Sequence, residues 1–311
     1  MTYTPLRPPR HEQLTVRGLK HRLTWWGPRS LQGPRSLQGP RGLQGGPSEP
    51  PIVLLHGFQD CGDTWQFLVD CLPETWSLVA PDWRGFGGTE WAPGGYWFPD
   101  YLADLEALLD QLVPNGPARV IAHSMGANVA TLYGGIRPQR LQWLVSLEGI
   151  GLRRKSPEDA PAHYARWLDE IKEPWVDGRY PSVQVLADVL MRRNPRLTAD
   201  RAEFVARAWT RDDGEGVRLA FDPRHRFVNP VLYRREEAEA CWARMQCPML
   251  FIAGERSGHQ ERRLADFSDA FLKRVFRDVQ IVGLPELGHM MHHEDPAGVA
   301  RPIIQFAEAH T

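Results

Sequence analysis

The sequence predicts an α/β fold, a mostly parallel β-sheet with helices on both faces. Three observations carry that reading. From Pro51 onward, short apolar runs rich in branched residues alternate with amphipathic stretches, the rhythm of units that feed a parallel sheet. Between about Ile150 and Met245 that rhythm gives way to helical patches and then resumes, so one segment is inserted into an otherwise continuous fold. Finally, the stretch AHSMGA sets a serine between small residues where a strand should pass into a helix.

The elements follow in order. HEQLTVRGLKHRLTWWG alternates as a pair of strands does. Residues 27–47 then carry GPRSLQ twice, GPRGLQ once, and GGP. The six-residue period is too short for a solenoid unit and is not the three-residue period of collagen. Gly-Pro steps stop helix and strand, so a disordered loop between two strands is expected. PIVLLHGF is a buried strand. TWQFLVDCL sets Trp65, Leu68, Val69 and Leu72 at helical spacing. WSLVAPDW is a strand, and FPDYLADLEALLDQL puts Leu102, Leu105, Leu109 and Leu112 on one helical stripe. ARVIAHS is a strand, residues from Met125 to Ile136 a helix, and LQWLVSLEG a strand. HYARWLDEI, VQVLADVLM and ADRAEFVARAW read as helices with no buried strand among them. CPMLFIAG, RLADFSDAFLKRV, DVQIVGL and PAGVARPIIQFAEAH restore the strand–helix alternation. The expected organisation is one core from residues 1–149 and 246–311, with a helical subdomain at 150–245.

Composition narrows the function. The 311 residues are 42% hydrophobic and 24% charged, with a net charge of -1. That balance is ordinary for a globular protein and gives no sign of a nucleic-acid or anionic-membrane partner. The arginines are scattered rather than clustered. The four cysteines, Cys61, Cys71, Cys241 and Cys247, form no close CxxC pair, so no zinc site of that kind is expected. MTYTPLRPPRHEQ lacks the apolar stretch of a signal peptide, and no apolar run reaches the length of a membrane span. A reducing cytoplasm is the expected compartment. A small-molecule substrate is the expected partner, and the sequence leaves the oligomeric state open.

Three motifs carry chemistry. Ser124 of AHSMGA stands at the strand–helix junction that a nucleophile elbow requires. The sharp turn needs small residues on either side; Gly126 supplies one, and Ala122 stands where glycine is usual. A serine here could also simply cap the helix. HGFQD, directly after the first buried strand, makes a turn whose backbone can face the serine. The N–H groups of Phe58 and Met125 are the candidate oxyanion donors, and His56 is read as a brace for the loop. LGHMMHHEDP puts His289 after the last strand, where a general base could reach the serine hydroxyl. His289 and His293 are one helical turn apart, but no HExxH pattern or third ligand accompanies them, so no metal is assigned. His292 and His293 are read as rim residues of the final helix.

HGFQD, APDWRGFGGT, AHSMGA and LGHMMHHEDP stand in the order found in the α/β-hydrolase superfamily. The chain resembles that superfamily from about Leu14 to its C-terminus, apart from the glycine- and proline-rich insert. HGFQDCGDTWQFLVDCL with APDWRGFGGTEW resembles the serine hydrolase-like branch. The resemblance implies the α/β-hydrolase fold with an eight-stranded sheet, a helical cap over the site and no cofactor. It gives APDWRGFGGT a structural role. Relatives that use an aspartate nucleophile, the haloalkane dehalogenases and epoxide hydrolases, differ at position 124.

The base needs a carboxylate to hold its tautomer. The position usual in the superfamily, three residues past the glycine of MLFIAG, is Ser257, which cannot carry the charge. Glu255 is close by, with an ion pair to Arg256 or Arg262 as its alternative role. Glu148 ends the preceding strand in LVSLEGIG, where some members of the superfamily carry their acid, and that strand should lie beside the nucleophile's strand. A charge ending a buried strand is costly unless paired. We therefore assign the acid to Glu148, with Glu255 the alternative. Asp295 is read instead as the cap of the last helix, ahead of Pro296.

The leading expectation is a serine-dependent hydrolase of a carboxylic ester or related acyl compound, acting through an acyl-enzyme. Carbon–carbon bond hydrolysis of a diketone-type substrate by the same residues is a second reading. A non-catalytic ligand-binding protein is a third. In the insert, Trp167, Trp175, Trp209 and Trp242 are read mostly as subdomain core. Arg224, His225 and Arg226 either face an acidic substrate group or form a solvated turn.

Overall fold

The computed structural model describes residues 2–28, 49–172 and 178–310. Most of the repeat loop expected at 27–47 lies outside the described residues, as does Trp175. Strands β1 (Arg10–Val16) and β2 (Leu19–Trp26) form the expected antiparallel pair. Their two-residue connection places Arg17 at φ 47° and Gly18 at φ 82°, the double left-handed turn that suits a twisted hairpin.

The alternating units follow. β3 (Ile52–Leu55) leads to α1 (Gln66–Val69), and β4 (Leu78–Pro81) to α2 (Phe98–Leu112). β5 (Ala118–His123) leads to α3 (Met125–Ile136), and β6 (Leu141–Leu147) closes the first half. The helix expected in TWQFLVDCL is only α1, preceded by a 3-10 turn at Gly62–Trp65. After the insert come β10 (Met249–Gly254), α8 (Gln260–Asp266), α9 (Asp269–Val275), β11 (Val279–Leu284), α10 (Met291–Glu294) and α11 (Pro296–Ala309).

The eight strands outside the insert order as β1-β2-β4-β3-β5-β6-β10-β11. The two pairings of β2 are antiparallel and the others parallel. Side chains alternate faces along each strand. Val53, Leu55, Val120, Ala122 and Phe251 join the core under α2 and α3. Ile52, Leu54, Ile121, Val145 and Ile252 join the core under α1 and α11. Each such fully buried aliphatic side chain contributes about 1.5–3 kcal/mol, so the two cores hold the sheet as a rigid platform. β5 and β6 are neighbours, as are β6 and β10. Their carboxyl ends therefore converge.

The insert carries α4 (Ala160–Glu170), β7 (Arg179–Tyr180), α5 (Val183–Arg193), α6 (Ala199–Ala208), β8 (Thr210–Asp212), β9 (Val217–Leu219) and α7 (Arg235–Trp242). Two expectations are corrected here. The insert is not purely helical: β7, β9 and β8 form a small antiparallel sheet. These strands contain no buried apolar run, because their residues are exposed or half-buried. The Asp-Gly step in RDDGEGVRL was their signal, with Gly214 at φ 84° in the hairpin turn. In addition, the apolar face of α7 packs on α3 rather than on the insert's own cluster. Ala238, Trp242 and Met245 join the core under α3, so packing leaves the insert before the expected boundary at 245. The insert has its own small cluster of Leu186, Ala187, Leu197, Ala202 and Ala206. Among the described residues, no helix is long and apolar enough to cross a membrane.

Candidate active site

Ser124 stands between β5 and α3 with φ 50° and ψ -113°. That is a strained conformation for a non-glycine residue. It lifts the side chain off the sheet's carboxyl edge while the chain reverses into the helix. The strain is held by close packing on both sides. A Cβ on Gly126 would come within 2.4 Å of the Leu55 carbonyl oxygen. One on Gly149 would meet the Ser124 carbonyl oxygen at the same 2.4 Å. Ala122 is completely buried in β5, and its methyl group is accommodated. The Ser124 N–H donates to the Leu147 carbonyl at 2.9 Å, which ties the elbow to β6.

His289 follows β11. Its Nε2 lies 3.1 Å from Ser124 Oγ and its Nδ1 lies 2.7 Å from Glu148 Oε2. The carboxylate accepts at Nδ1, so that nitrogen carries the proton and Nε2 is free to accept from the serine hydroxyl. Glu148 immediately follows β6 with φ 51°. This left-handed step turns its side chain toward β10. Its Oε1 accepts the Gly254 N–H at 2.8 Å, and its Oε2 also accepts the Ser257 hydroxyl at 2.7 Å. Burial pushes the Glu148 carboxyl up, but the hydrogen bonds from His289 and Ser257 outweigh burial and hold it below its ordinary value. Ser257 also accepts the His259 N–H at 3.2 Å, and the His259 ring sits edge-on to His289 at 4.8 Å.

Glu255 is exposed. His289 pairs with Glu148 instead, and Arg256 pairs with Glu286 at 3.7 Å. Asp295 caps α11 by accepting the Gly298 N–H at 3.0 Å, as its sequence context suggested.

The HGFQD turn lies against the elbow. A Cβ on Gly57 would come within 3.1 Å of the Ser124 Cβ, so Phe58 directly follows the point of closest approach. Met125 opens α3, and the first N–H groups of a helix have no partner within it. His56 Nε2 accepts the Trp83 N–H at 3.0 Å, and its Nδ1 therefore donates to the Gly57 carbonyl at 2.8 Å. Burial pushes its pKa down. His56 thus braces two loops as a neutral ring. The Phe58 side chain is 44% exposed and forms aromatic contacts with Phe86, Phe221 and His225.

The remaining expectations divide. His225 is not in a solvated turn. It is stacked between Phe86 and Tyr96, with Nε2 donating to the Arg84 carbonyl at 3.1 Å and Nδ1 accepting from Tyr101 at 3.0 Å. Arg224 is bound to Asp222 beside it at 2.6 Å, and the exposed Arg226 lies over the Phe221 ring. Trp209 donates its indole N–H to Asp60 at 2.8 Å, and Trp167 lies against Trp97 rather than in a subdomain core. His292 and His293 are not rim residues: they are 1% and 2% exposed. Sequence reasoning missed Asp60. It is a carboxylate five residues past β3, and only its partners, far along the chain, mark it out.

The comparisons agree with this architecture. A zebrafish (Danio rerio) serine hydrolase-like protein is 25% identical over 85% of this chain and 83% of its own length. The human (Homo sapiens) serine hydrolase-like protein 2 is 22% identical over 83% of this chain and 87% of its own. Among solved structures, a thioesterase domain from the curacin biosynthetic pathway superposes with a TM-score of 0.77 at 22% identity, covering 96% of this chain and 99% of that one. An esterase from Mycobacterium tuberculosis superposes with a TM-score of 0.67 at 19% identity, covering 98% and 92%. The family model described as the alpha/beta hydrolase family matches residues 52–301. With its parallel sheet and strand–serine–helix turn, the chain belongs to the alpha/beta hydrolase family.

Proposed function

We propose that this protein is a serine-dependent hydrolase of a carboxylic ester or a related acyl compound. The observation that carries the reading is the unbroken hydrogen-bonded series Ser124–His289–Glu148 at 3.1 and 2.7 Å. In this mechanism Ser124 Oγ attacks the acyl carbon as His289 Nε2 takes its proton. Glu148 holds the imidazole in the required tautomer and stabilises the imidazolium as it forms. The Phe58 and Met125 N–H groups receive the oxyanion, and loss of such a donor typically costs about 3 kcal/mol in the transition state. His289 returns the proton to the leaving group. Water, activated by the same histidine, then attacks the acyl-enzyme and frees Ser124. The insert acts as a cap, and the exposed Phe58 ring beside Phe86 and Phe221 favours an apolar substrate group.

A fluorophosphonate probe tests the proposal. Wild type should label at one site and turn over a small activated ester, and Ser124→Ala should do neither. Failure of the folded wild type to label and to turn over such an ester would overturn the reading.

A further inference from the structure

Beside the His123 ring, three buried side chains converge without hydrogen-bonding to one another. Asp60 belongs to the HGFQD turn, and His292 and His293 to α10. The Asp60 carboxylate uses one oxygen fully. Its Oδ1 accepts the Cys61 N–H at 2.8 Å, the Thr64 hydroxyl at 2.6 Å and the Trp209 indole N–H at 2.8 Å. Its Oδ2 has no hydrogen-bond partner among the described residues, and neither do both ring nitrogens of His292 or Nε2 of His293. The side chains of all three residues are at most 2% exposed. Unsatisfied polar atoms buried together are costly and call for an explanation.

Their spacing supplies one. The Nε2 atoms of His292 and His293 lie 3.9 and 4.0 Å from Asp60 Oδ2, and one ligand atom from each residue lies within 4.8 Å of the others. These gaps are too long for direct hydrogen bonds. They leave room for a guest that each group can face at once. Bonds of about 2.0–2.2 Å to a tetrahedral zinc ion would set ligand atoms about 3.3–3.6 Å apart. A water held at about 2.8 Å would set them about 4.6 Å apart. The two gaps to Asp60 Oδ2 fall between these values, so the carboxylate reaches zinc-bond distance when each histidine closes by a few tenths of an ångström.

We propose that Asp60, His292 and His293 form a buried site for a divalent first-row transition cation of the zinc class. Two imidazoles and one carboxylate are the donor set such cations take, whereas calcium and magnesium favour oxygen donors. The carboxylate is already aimed by its three hydrogen bonds, as outer-shell partners aim a metal ligand. Aromatic rings close the surroundings. Trp65 lies 4.9 Å from the His292 ring and Phe67 lies 5.6 Å from the His293 ring. The cation would staple the HGFQD turn to the segment that follows His289. It would do so without contacting Ser124, and the site does not depend on the proposed hydrolysis.

The test uses the full chain, stripped with a chelator and dialysed against zinc or cobalt. Wild type should retain one ion per chain, show the visible absorption of tetrahedral cobalt, and melt at a higher temperature when loaded. Asp60→Asn and His293→Gln should each weaken zinc binding more than about 100-fold, beyond the usual cost of losing an outer-shell partner. His289→Ala should keep it. X-ray absorption on zinc-loaded wild type needs no variant and should count two imidazoles. The proposal is overturned if wild type retains no stoichiometric metal. It is equally overturned if retention follows His289 instead, or if a crystal grown with zinc shows only a water between the three residues.

Discussion

Ser257 donates its hydroxyl to Glu148 Oε2 at 2.7 Å, the same oxygen that faces His289 Nδ1 at 2.7 Å. The residue standing where an acid was expected thus supports the carboxylate proposed as the acid, which comes from the neighbouring strand. Oε2 receives two donors, and Oε1 takes the Gly254 N–H. The carboxylate is thereby fixed in position.

Replacing Glu148 by Gln should reduce kcat for an activated ester by about 10³–10⁴-fold, since the amide favours the wrong imidazole tautomer. Glu255→Gln should remain within about threefold of wild type, as expected of an exposed residue outside the site. Steady-state kinetics on both variants, with circular dichroism to check folding, distinguishes them. Equal losses would remove Glu148 from its assigned role.

Ser257→Ala should lower kcat/KM by about tenfold, because a hydrogen bond to a charged acceptor contributes roughly 1.5–3 kcal/mol and water can recover part of it. The lowest-pH end of the pH–rate profile, where Glu148 itself protonates, should shift upward, as Glu148 loses one of the bonds that depress its pKa. The double variant Glu148→Gln with Ser257→Asp should recover part of the activity lost by Glu148→Gln alone. An unchanged pH profile in Ser257→Ala would leave the serine a packing role only.

Gly126→Ala should destabilise the protein by about 1–3 kcal/mol or more, the range for overpacking. The added methyl would sit 2.4 Å from a backbone oxygen of β3, which cannot rotate away. Chemical denaturation measures this directly. A loss below about 0.5 kcal/mol would mean that the elbow tolerates a wider turn.

Stability should fall as pH drops below neutrality, well before the carboxylates titrate. Burial pushes His225 down to about 3 and lowers His21 and His56 as well. The unfolded chain takes up these protons near pH 6.5, whereas the folded chain stays neutral to lower pH. Each group contributes its stability in full above about pH 6.5. Below that it loses up to about 1.4 kcal/mol per pH unit until its folded pKa is reached, for His225 near 3. Glu148 has the depressed pKa of a paired acid, so its contribution is lost only as pH falls below its ordinary value of 4.5. Denaturation midpoints between pH 4 and 8 test this, and a flat profile from pH 7 to 5 would contradict it.

The centre of the sheet was legible because strands such as IVLL and MLFIAG are buried on both faces and read as unbroken apolar runs. Ser124, His289 and Glu148 were legible because each sits at a strand's end, and strand order then brings them together. The insert's small sheet was not, because its strands are only two or three residues long and rich in arginine. The packing of α7 on α3 was hidden because an amphipathic helix does not name the surface it covers. The environment of His292 and His293 was hidden for a different reason. Their partner Asp60 stands 232 residues before His292, and no local period links the two.

The Trp209–Asp60 bond gives the insert a latch. Trp209 terminates α6 and donates to a carboxylate that belongs to the core beneath it. If the insert lifts to admit a substrate, that carboxylate loses one of its three donors on Oδ1, and the indole passes from a charged acceptor to solvent. Opening thus carries an electrostatic penalty that draws the insert shut again. Trp209 is one of twelve tryptophans, so its emission, read as the difference between wild type and Trp209→Phe, should report whether that latch is closed.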